Sequence, residues 1–287
     1  MKVAYAGERG AFAELAAIEY FGKKCQYIAV GDFSTVFESV ANGNCDYGVI
    51  PIENSLAGSI HQNYDLLLES NTQITGEILL KIGHCLITNK NVKQKDLKSV
   101  FSHPQALAQC KNFLRKHKEL QVVPFSNTAA AVKKIRDEKL SDAAAIASMQ
   151  AAIDFNMDVL ASNIEDHNCN TTRFLIISAR TNNTSADPKK VKTSIVFSTK
   201  DLPGALFKCL AVFALRDINL FKIESRPIHG KGFQYLFYLD LEGDMRQDAV
   251  RNAIDHLQEL TTFYRLLGSY EMGKLIEPSY NRREIND

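Results

Sequence analysis

The chain has 287 residues, of which 45% are hydrophobic and 23% charged, so it is long enough for one large or two smaller globular domains. Its formal net charge of +1 gives no sign of a surface that binds nucleic acid or an anionic membrane. The cysteines are scattered, without a CxxC pair or a His/Cys cluster, which favours free thiols over disulfides or a zinc site. Residues 1–7 resemble a buried strand rather than a signal or transit peptide, so we expect a cytoplasmic protein without a membrane span.

Predicted strands and helices alternate from the first residue to about residue 178. Strands are predicted at residues 3–6, 47–52, 77–82, 84–88, 122–125, 143–147 and 173–178, and helices at residues 11–21, 33–40, 59–69, 104–116 and 128–136. The second helix shows the spacing best, because its apolar residues recur at intervals of three and four. This alternation predicts an α/β domain with a mostly parallel sheet and helices on both faces.

Residues 180–192 interrupt the alternation with a polar, proline-containing stretch, which we interpret as an interdomain linker. Beyond it, strands are predicted at residues 193–199, 218–228, 233–241 and 262–270 and helices at residues 203–216 and 245–257, with a hairpin turn at residues 229–232. The order βαββαβ is that of ferredoxin-like domains. Residues 274–287 are polar and aperiodic, so we expect them to fray. The sequence thus predicts domains at residues 1–179 and 193–271, a linker at residues 180–192 and a tail at residues 272–287.

Two loops follow predicted strands, at the position where open α/β sheets bind ligands. Residues 7–10 read Gly-Glu-Arg-Gly and precede a helix, so their N–H groups can bind an anion, although a plain turn is the simpler explanation. They lack the lysine and hydroxyl of a phosphate loop, which argues against a nucleotide. Residues 51–55 read Pro-Ile-Glu-Asn-Ser, and Asn54 and Ser55 can either bind a ligand or cap the next helix.

His103 occupies a similar position within Ser-His-Pro-Gln at residues 102–105, just before a predicted helix. The helix start is indicated by Pro104, because proline suits the first helical position. His103 can act as an acid, but a lone histidine at a helix start more often caps the helix or donates a structural hydrogen bond.

Residues 171–174, Thr-Thr-Arg-Phe, carry the strongest candidate chemistry and follow an acidic, amide-rich loop at residues 163–170. Thr172 can donate a proton or a hydrogen bond to a leaving hydroxyl, and Arg173 can bind a carboxylate at two points. Phe174 can cover a ring. A strand that begins here with an ordinary surface arginine fits the same spacing, so these residues alone do not decide.

Five blocks in this order resemble the prephenate dehydratase family, and the resemblance covers nearly the whole chain. They lie at residues 7–12, 51–60, 102–107, 127–130 and 172–174. Ala11 and Ala13 depart from the family, which commonly has hydroxyl residues there. The second domain resembles an ACT regulatory domain, although Phe207 replaces a usual valine. Its two phenylalanine-binding motifs correspond to Gly204-Ala205-Leu206 and Glu224-Ser225-Arg226-Pro227.

The resemblance implies an α/β catalytic domain of two lobes, like a periplasmic binding protein, followed by the ferredoxin-like ACT domain. The lobes would comprise residues 1–82 plus 160–178 and residues 84–159, with the substrate between them. The implied reaction removes the ring hydroxyl and carbon dioxide from prephenate to give phenylpyruvate in phenylalanine biosynthesis, with no metal or organic cofactor. Thr172 would be the catalytic proton donor. The implied substrate-binding residues are Arg173 and the backbone of Gly10, Ala11 and Phe12 for the carboxylates, Asn54, Ser55 and Thr128 for orientation, and Phe174 for the ring.

The ACT resemblance implies that L-phenylalanine inhibits the enzyme by binding at an interface between subunits of a homodimer or homotetramer. A second domain that only dimerises is the alternative. Residues 58–68 also resemble plant-type arogenate dehydratases, which leaves arogenate open as the substrate. An amino-acid sensor without catalysis would also suit a binding-protein fold, but the intact motif at residues 172–174 argues against it.

Overall fold

The computed structural model describes residues 1–180, 187, 190–228, 234–278 and 280. The predicted hairpin turn at residues 229–232, most of the predicted linker and the end of the predicted tail lie outside these residues. The chain forms two compact units. Unit 1 comprises Met1–Ser70, Ile78–Leu175 and the described residues from Lys274 onward, and unit 2 comprises Asn71–Glu77 and the described residues of Ile176–Gly273.

Strands and helices alternate along much of the described chain. The strands are β1 (Lys2–Ala6), β2 (Gln26–Val30), β3 (Tyr47–Asn54), β4 (Gly58–Ser59), β5 (Gln73–Lys81), β6 (Cys85–Thr88), β7 (Ser99–Ser102), β8 (Gln121–Pro124), β9 (Ala143–Ala147), β10 (Asp158–Ala161), β11 (Thr171–Ser178), β12 (Val191–Thr199), β13 (Leu220–Pro227), β14 (Tyr235–Glu242), β15 (Thr261–Glu271) and β16 (Leu275–Ile276). The helices are α1 (Phe12–Phe21), α2 (Phe33–Ala41), α3 (His61–Glu69), α4 (Pro104–Gln109), α5 (Lys111–Lys116), α6 (Thr128–Asp137), α7 (Met149–Asp154), α8 (Ala205–Ala214) and α9 (Asp248–Leu260). No helix among the described residues is long and apolar enough to cross a membrane.

Two sheets contain the strands that precede the predicted linker. The first has the strand order β16-β5-β11-β3-β1-β2, with β4 paired to β3, and β1 runs parallel to both β2 and β3. The second has the order β10-β6-β9-β7-β8 and is mixed rather than mostly parallel. Its strand β7 is parallel to both neighbours, whereas β6 is antiparallel to β9 and β10. The chain enters this sheet at β6 and leaves it at β10, which confirms the predicted two-lobed arrangement.

The single helix predicted at residues 104–116 is instead two helices, α4 and α5, which meet at Cys110. Cys110 leaves the helical region, with φ −109° and ψ 25°. The carbonyl of Gln109 accepts the Asp166 N–H at 2.7 Å, and the Asp166 carboxylate accepts the Asn112 N–H at 2.9 Å. Hydrogen bonds to a distant loop therefore accompany the break, and apolar spacing along the helix could not reveal them.

Unit 2 contains β12, α8, β13, β14, α9 and β15 in this order, which confirms the predicted ferredoxin-like βαββαβ arrangement. Its strands are ordered β13-β14-β12-β15, and every neighbouring pair is antiparallel. Alternate residues of β12, Ile195 and Phe197, share one buried core with Phe213 of α8 and Leu257 of α9. The apolar residues that alternate along β12 and those that recur at helical spacing in α8 and α9 thus pack into the same core.

Two residues of the tail, Leu275 and Ile276, form a strand, so the prediction of fraying is wrong for them. Strand β16 runs parallel to β5, with Leu275 opposite Leu79. Beside it, Lys81 Nζ lies 2.7 Å from Glu277 Oε1, and these two residues are 196 positions apart. A pairing between such distant segments leaves no local periodicity in the sequence.

Candidate active site

A cavity of about 640 Å³ opens in unit 1, and this volume suits a small-molecule ligand. Its wall is formed by the ends of β1 and β3, by the first residues of β11 and by the first turns of several helices. This location agrees with the rule that open α/β sheets bind ligands at the carboxyl ends of their strands. The lining residues include Glu8, Ala11, Phe12, Asp32, Asn54, His84, His103, Gln105, Gln109, Asn127, Thr128, Thr172 and Phe174.

Helices α1, α2 and α6 begin at the cavity, since their first residues, Phe12, Phe33 and Thr128, all line it. A helix N-terminus carries partial positive charge and N–H groups that lack helical partners. Among the residues that the structure describes, no lysine or arginine lines the cavity. The N-terminus of α2 is already capped by the Asp32 carboxylate, which accepts the Thr35 N–H at 2.8 Å. The ends of α1 and α6 and neutral donors are therefore the groups available to an anionic ligand.

Thr172 is 8% exposed, and its hydroxyl oxygen accepts a hydrogen bond from Asn54 Nδ2 at 2.9 Å. The orientation of the Asn54 amide is fixed, because its Oδ1 accepts the backbone N–H groups of Leu56 and Ala57, both at 3.0 Å. Those groups can only donate, so the amide nitrogen must face Thr172. The Thr172 oxygen is thus an acceptor towards Asn54, and its hydrogen has no acceptor among the described residues.

Two further amides surround this pair. Asn54 Nδ2 also donates to Asn170 Oδ1 at 2.8 Å, and Asn170 Nδ2 donates to Gln109 Oε1 at 3.0 Å. Gln109 Nε2 donates back to Asn54 Oδ1 at 3.3 Å, which closes a ring of three amides beside Thr172. Sequence analysis did not predict Gln109 or Asn170 as site residues. The sequence feature that could have indicated them is their position, because Gln109 follows the block at residues 102–107 and Asn170 ends the amide-rich loop.

His84 extends the same network. Its Nε2 lies 2.9 Å from Gln109 Oε1, which can only accept, so Nε2 carries the ring hydrogen. The other ring nitrogen, Nδ1, has no hydrogen-bond partner among the described residues. Burial lowers the pKa of His84 despite the opposing effects of Gln109 and Glu165, so the ring is neutral near pH 7. His84 therefore holds Gln109 in place as a neutral donor.

The structure brings most of the predicted site residues together at this cavity. Residues from four separate blocks line it, namely Ala11, Phe12, Asn54, Thr128, Thr172 and Phe174, whereas Gly10, Ser55 and Arg173 do not. The Ser55 hydroxyl donates to the Cys169 carbonyl at 2.9 Å and accepts the Thr171 N–H at 3.0 Å. Ser55 thus holds the start of β11, one residue before Thr172, and its role in orienting the substrate stays a prediction.

Gly10 does not offer the predicted carboxylate contact. Its N–H already donates to Glu14 Oε2 at 2.6 Å, and the Ala11 N–H donates to the Glu8 carbonyl at 3.0 Å. Glycine is required for space, because a Cβ at Gly10 would lie 2.6 Å from Cα of Ala151, and its φ is +83°. The prediction is corrected for these two donors, since both are occupied within the protein.

Arg173 lies between two residues that line the cavity, but it does not line the cavity itself. Successive residues of a strand face opposite sides of the sheet, so the alternation that brings Thr172 and Phe174 to the cavity turns Arg173 away. Arg173 is buried, with 9% of its surface exposed. Arg173 therefore does not face this cavity, and its two-point contact with a substrate carboxylate stays a prediction.

The predicted effector motifs both lie in unit 2. Gly204 is the N-cap of α8 with φ +75°. Among the described residues, no side chain caps this helix, and a Cβ at Gly204 would meet nothing within 4 Å. The first residues of α8 are Ala205 and Leu206. The other motif closes β13, an edge strand of its sheet, and comprises Glu224, Ser225, Arg226 and Pro227. The first motif therefore presents an uncapped helix N-terminus with space beside it.

Comparison with known proteins matches this chain over most of its length. A family model described as prephenate dehydratase matches residues 3–182. The chain is 48% identical over 279 residues to arogenate dehydratase/prephenate dehydratase 2, chloroplastic, of Arabidopsis thaliana. The matched region covers 94% of this chain and 72% of that protein. That relative is named as chloroplastic, which does not strictly fit our expectation of a cytoplasmic protein, and the compartment stays a prediction.

Two solved structures share the fold. Prephenate dehydratase from Arthrobacter aurescens in complex with L-Phe superimposes with a TM-score of 0.87 and 31% identity, covering 94% of this chain and 90% of that chain. A chain described as GqqA, a novel type of quorum quenching acylase, gives the same TM-score of 0.87 with 28% identity, covering 95% of this chain and 98% of that one.

Proposed function

Because the chain belongs to the prephenate dehydratase family, we propose that it converts prephenate to phenylpyruvate with loss of water and carbon dioxide. The observation that carries this proposal is the Thr172 hydroxyl. It lines the cavity with its oxygen held by Asn54, while its hydrogen has no acceptor among the described residues. Such a hydroxyl can donate to a leaving oxygen.

In the proposed reaction, the bond between the ring and its carboxylate breaks, carbon dioxide leaves and the electron pair enters the ring. The electrons expel the hydroxyl from the opposite ring carbon, and one proton converts it to water. Thr172 donates a hydrogen bond or this proton to the departing oxygen, and solvent replaces any proton it gives. A threonine hydroxyl is a weak acid, so it is effective only when it is buried and aligned while charge develops. The Asn54 amide stabilises charge on the Thr172 oxygen.

The carboxylate of the three-carbon side chain needs donors that stay with it throughout the reaction. We assign it to the N-terminal end of α6, where Thr128 supplies a hydroxyl. The Asn127 side chain already accepts the Ala130 N–H of this helix, which leaves the N–H groups of Thr128 and Ala129 for the ligand. Phe12 and Phe174 form apolar wall for the ring. The Phe12 ring is itself held edge-on to His84, with 5.6 Å between ring centroids.

Arogenate is the second candidate substrate, and a specific observation favours it. Two carboxylates line the cavity, those of Glu8 and Asp32, whereas no described lysine or arginine does. The Glu8 carboxylate is already paired with Lys133 Nζ at 3.1 Å, so Asp32 is the one that can meet a cationic group of a ligand. Hydrogen bonds from Thr35 lower the pKa of Asp32, so this carboxylate is ionised near neutral pH. Arogenate carries an ammonium group where prephenate carries a keto group, and the Asp32 carboxylate would attract it. The Arabidopsis relative carries the names of both activities.

We further propose that the second domain is an ACT domain at which L-phenylalanine inhibits the enzyme. The uncapped N-terminus of α8 at Gly204 can hold an amino acid's carboxylate, and the motif at Glu224, Ser225, Arg226 and Pro227 can hold its amino group. The solved structure from Arthrobacter aurescens, described as a complex with L-Phe, supports an effector of this kind. The expected coupling between effector and substrate is about 1–3 kcal/mol.

The proposed assembly is a homodimer or homotetramer that pairs through the second domain. Strand β13 is an edge strand, and its apolar residues Phe221 and Ile223 are 43% and 45% exposed. Edge strands with exposed apolar side chains readily pair with another chain. The proposed domain extents are residues 1–179 for catalysis, 180–192 for the linker, 193–271 for regulation and 272–287 for the tail.

One assay tests the function directly. Purified protein is given prephenate or arogenate, with and without L-phenylalanine, and phenylpyruvate and phenylalanine are quantified, with Thr172→Val as the matched inactive control. Phenylpyruvate from prephenate supports the first proposal, whereas phenylalanine formed from arogenate alone favours the second. Formation of neither product, in a protein that still binds phenylalanine, would favour the amino-acid sensor.

A further inference from the structure

His103 stands on the cavity wall at the start of α4, and it is the N-cap of that helix. Its backbone is extended, with φ −60° and ψ 140°, and its ring Nδ1 accepts the Gln105 N–H at 3.2 Å. Pro104 occupies the first helical position and has no N–H to satisfy. The cap therefore explains one ring nitrogen of His103 and leaves the other for a separate role.

The cap also fixes where the ring hydrogen lies. A backbone N–H can only donate, so Nδ1 must be unprotonated, and the neutral ring carries its hydrogen on Nε2. Burial lowers the pKa of His103, which keeps the ring neutral near pH 7 and unsuited to act as an acid. Nε2 has no hydrogen-bond acceptor among the described residues, although the residue lines the cavity.

The substrate of the proposed reaction presents oxygen acceptors in the form of two carboxylates and a keto group. No lysine or arginine lines the cavity within the described part of the chain, so neutral donors must meet these oxygens. We propose that His103 is a substrate-binding residue whose Nε2–H donates a hydrogen bond to a carboxylate or keto oxygen of the substrate. This inference rests on the proposed dehydratase function.

Two neutral substitutions separate the cap from the donor. His103→Asn keeps a side-chain oxygen near the position of Nδ1, and asparagine is a strong N-cap, but the side chain is too short to reach the position of Nε2. His103→Gln places an amide nitrogen near Nε2 but is a poor cap. Neither change adds charge, so repulsion of an anionic substrate does not confuse the comparison.

The expected results for the two variants are opposite. His103→Asn should keep the wild-type melting temperature and raise the KM for prephenate about tenfold or more, because a hydrogen bond to the substrate is lost. His103→Gln should melt at a lower temperature and keep KM within about threefold of wild type, because the donor is retained. Values of kcat should change little in either variant, because the proposed hydrogen bond is to a carboxylate or keto oxygen and not to the hydroxyl that leaves.

Arogenate identifies the oxygen that His103 meets. If it is a carboxylate, His103→Asn raises KM for both substrates, and if it is the keto oxygen, only prephenate is affected. A wild-type KM in His103→Asn, or equal losses of binding in the two variants, would overturn the inference. Wild-type protein that forms neither product would instead overturn the proposed function, before any variant is compared.

Discussion

Replacing Thr172 by valine removes one hydroxyl and nearly preserves shape, so it isolates the proposed chemistry from the fold. The lost hydrogen bond is the one from Asn54 Nδ2 at 2.9 Å. Asn54 Nδ2 keeps two acceptors, Asn170 Oδ1 at 2.8 Å and the Thr171 carbonyl at 3.3 Å, so neither of its hydrogens is stranded. A typical neutral hydrogen bond stabilises a protein by about 0.5–1.5 kcal/mol, and the added buried methyl group recovers about 0.8 kcal/mol.

The expected change in the free energy of unfolding is therefore below about 1 kcal/mol. The expected loss in rate is far larger, because positioned proton donors contribute about 10²–10⁴-fold. That loss corresponds to about 2.7–5.5 kcal/mol of transition-state stabilisation. Catalysis and stability should thus separate clearly in this variant, with kcat greatly reduced and the fold intact.

The assay measures phenylpyruvate formation at saturating prephenate, together with urea unfolding of the same preparations. Thr172→Ser is the matched control, because it keeps the hydroxyl that Asn54 orients and should retain much of kcat. A valine variant with kcat within about threefold of wild type would refute the role of the hydroxyl. A serine variant as slow as the valine variant would show that the methyl group, not the hydroxyl, is what matters.

Three further predictions follow from backbone space, from burial and from the proposed effector site. Gly10→Ala should lower the free energy of unfolding by about 2–3 kcal/mol, because the new Cβ would meet Ala151. The control is urea unfolding of Gly22→Ala, which is also at positive φ but in open space and so measures the conformational strain alone. Because the pKa of His84 is lowered in the folded protein, the unfolded chain takes up a proton first as pH falls below about 6.5. The melting temperature should therefore drop on acidification. It should drop less in His84→Gln, because glutamine stays neutral and keeps a hydrogen-bond donor. Asparagine at position 204 can adopt the left-handed backbone, but its side chain fills the open space beside the helix. Gly204→Asn should therefore remain active and lose its inhibition in a phenylalanine titration. Unchanged inhibition would place the effector elsewhere.

Sequence patterns predicted the helices and strands correctly where the contacts that define an element lie close together in the sequence. The apolar spacing of Phe33, Val36, Phe37 and Val40 predicted α2, and the structure shows that Asp32 caps it by accepting the Thr35 N–H. Strand β2, by contrast, was missed, because none of its residues is fully buried and no alternation stands out. The same limit applies to β16, whose partner β5 lies far away in the sequence.

The site shows a similar division between residue identity and side-chain direction. Thr172 and Asn54 were predicted from motifs, and the structure places their side chains 2.9 Å apart. Motifs could not show which way a side chain points, so Arg173 was predicted at the cavity although strand alternation turns it away. Gln109 and His84 were missed because each acts through a partner that is distant in sequence, at separations that no spacing rule covers.

The position of Arg173 outside the cavity suits the proposed reaction better than the contact predicted from the sequence. Decarboxylation requires the departing carboxylate to give up its negative charge to the ring. A cationic side chain paired with that carboxylate would stabilise the substrate more than the transition state and so slow the reaction. Helix N-termini and neutral donors at Thr128 and His103 can instead hold the carboxylate that remains, without pairing a full positive charge with the one that leaves. The same preference for stabilising the transition state over the substrate explains the position of the amides of Asn54 and its neighbours next to Thr172. Charge appears there only as the hydroxyl departs.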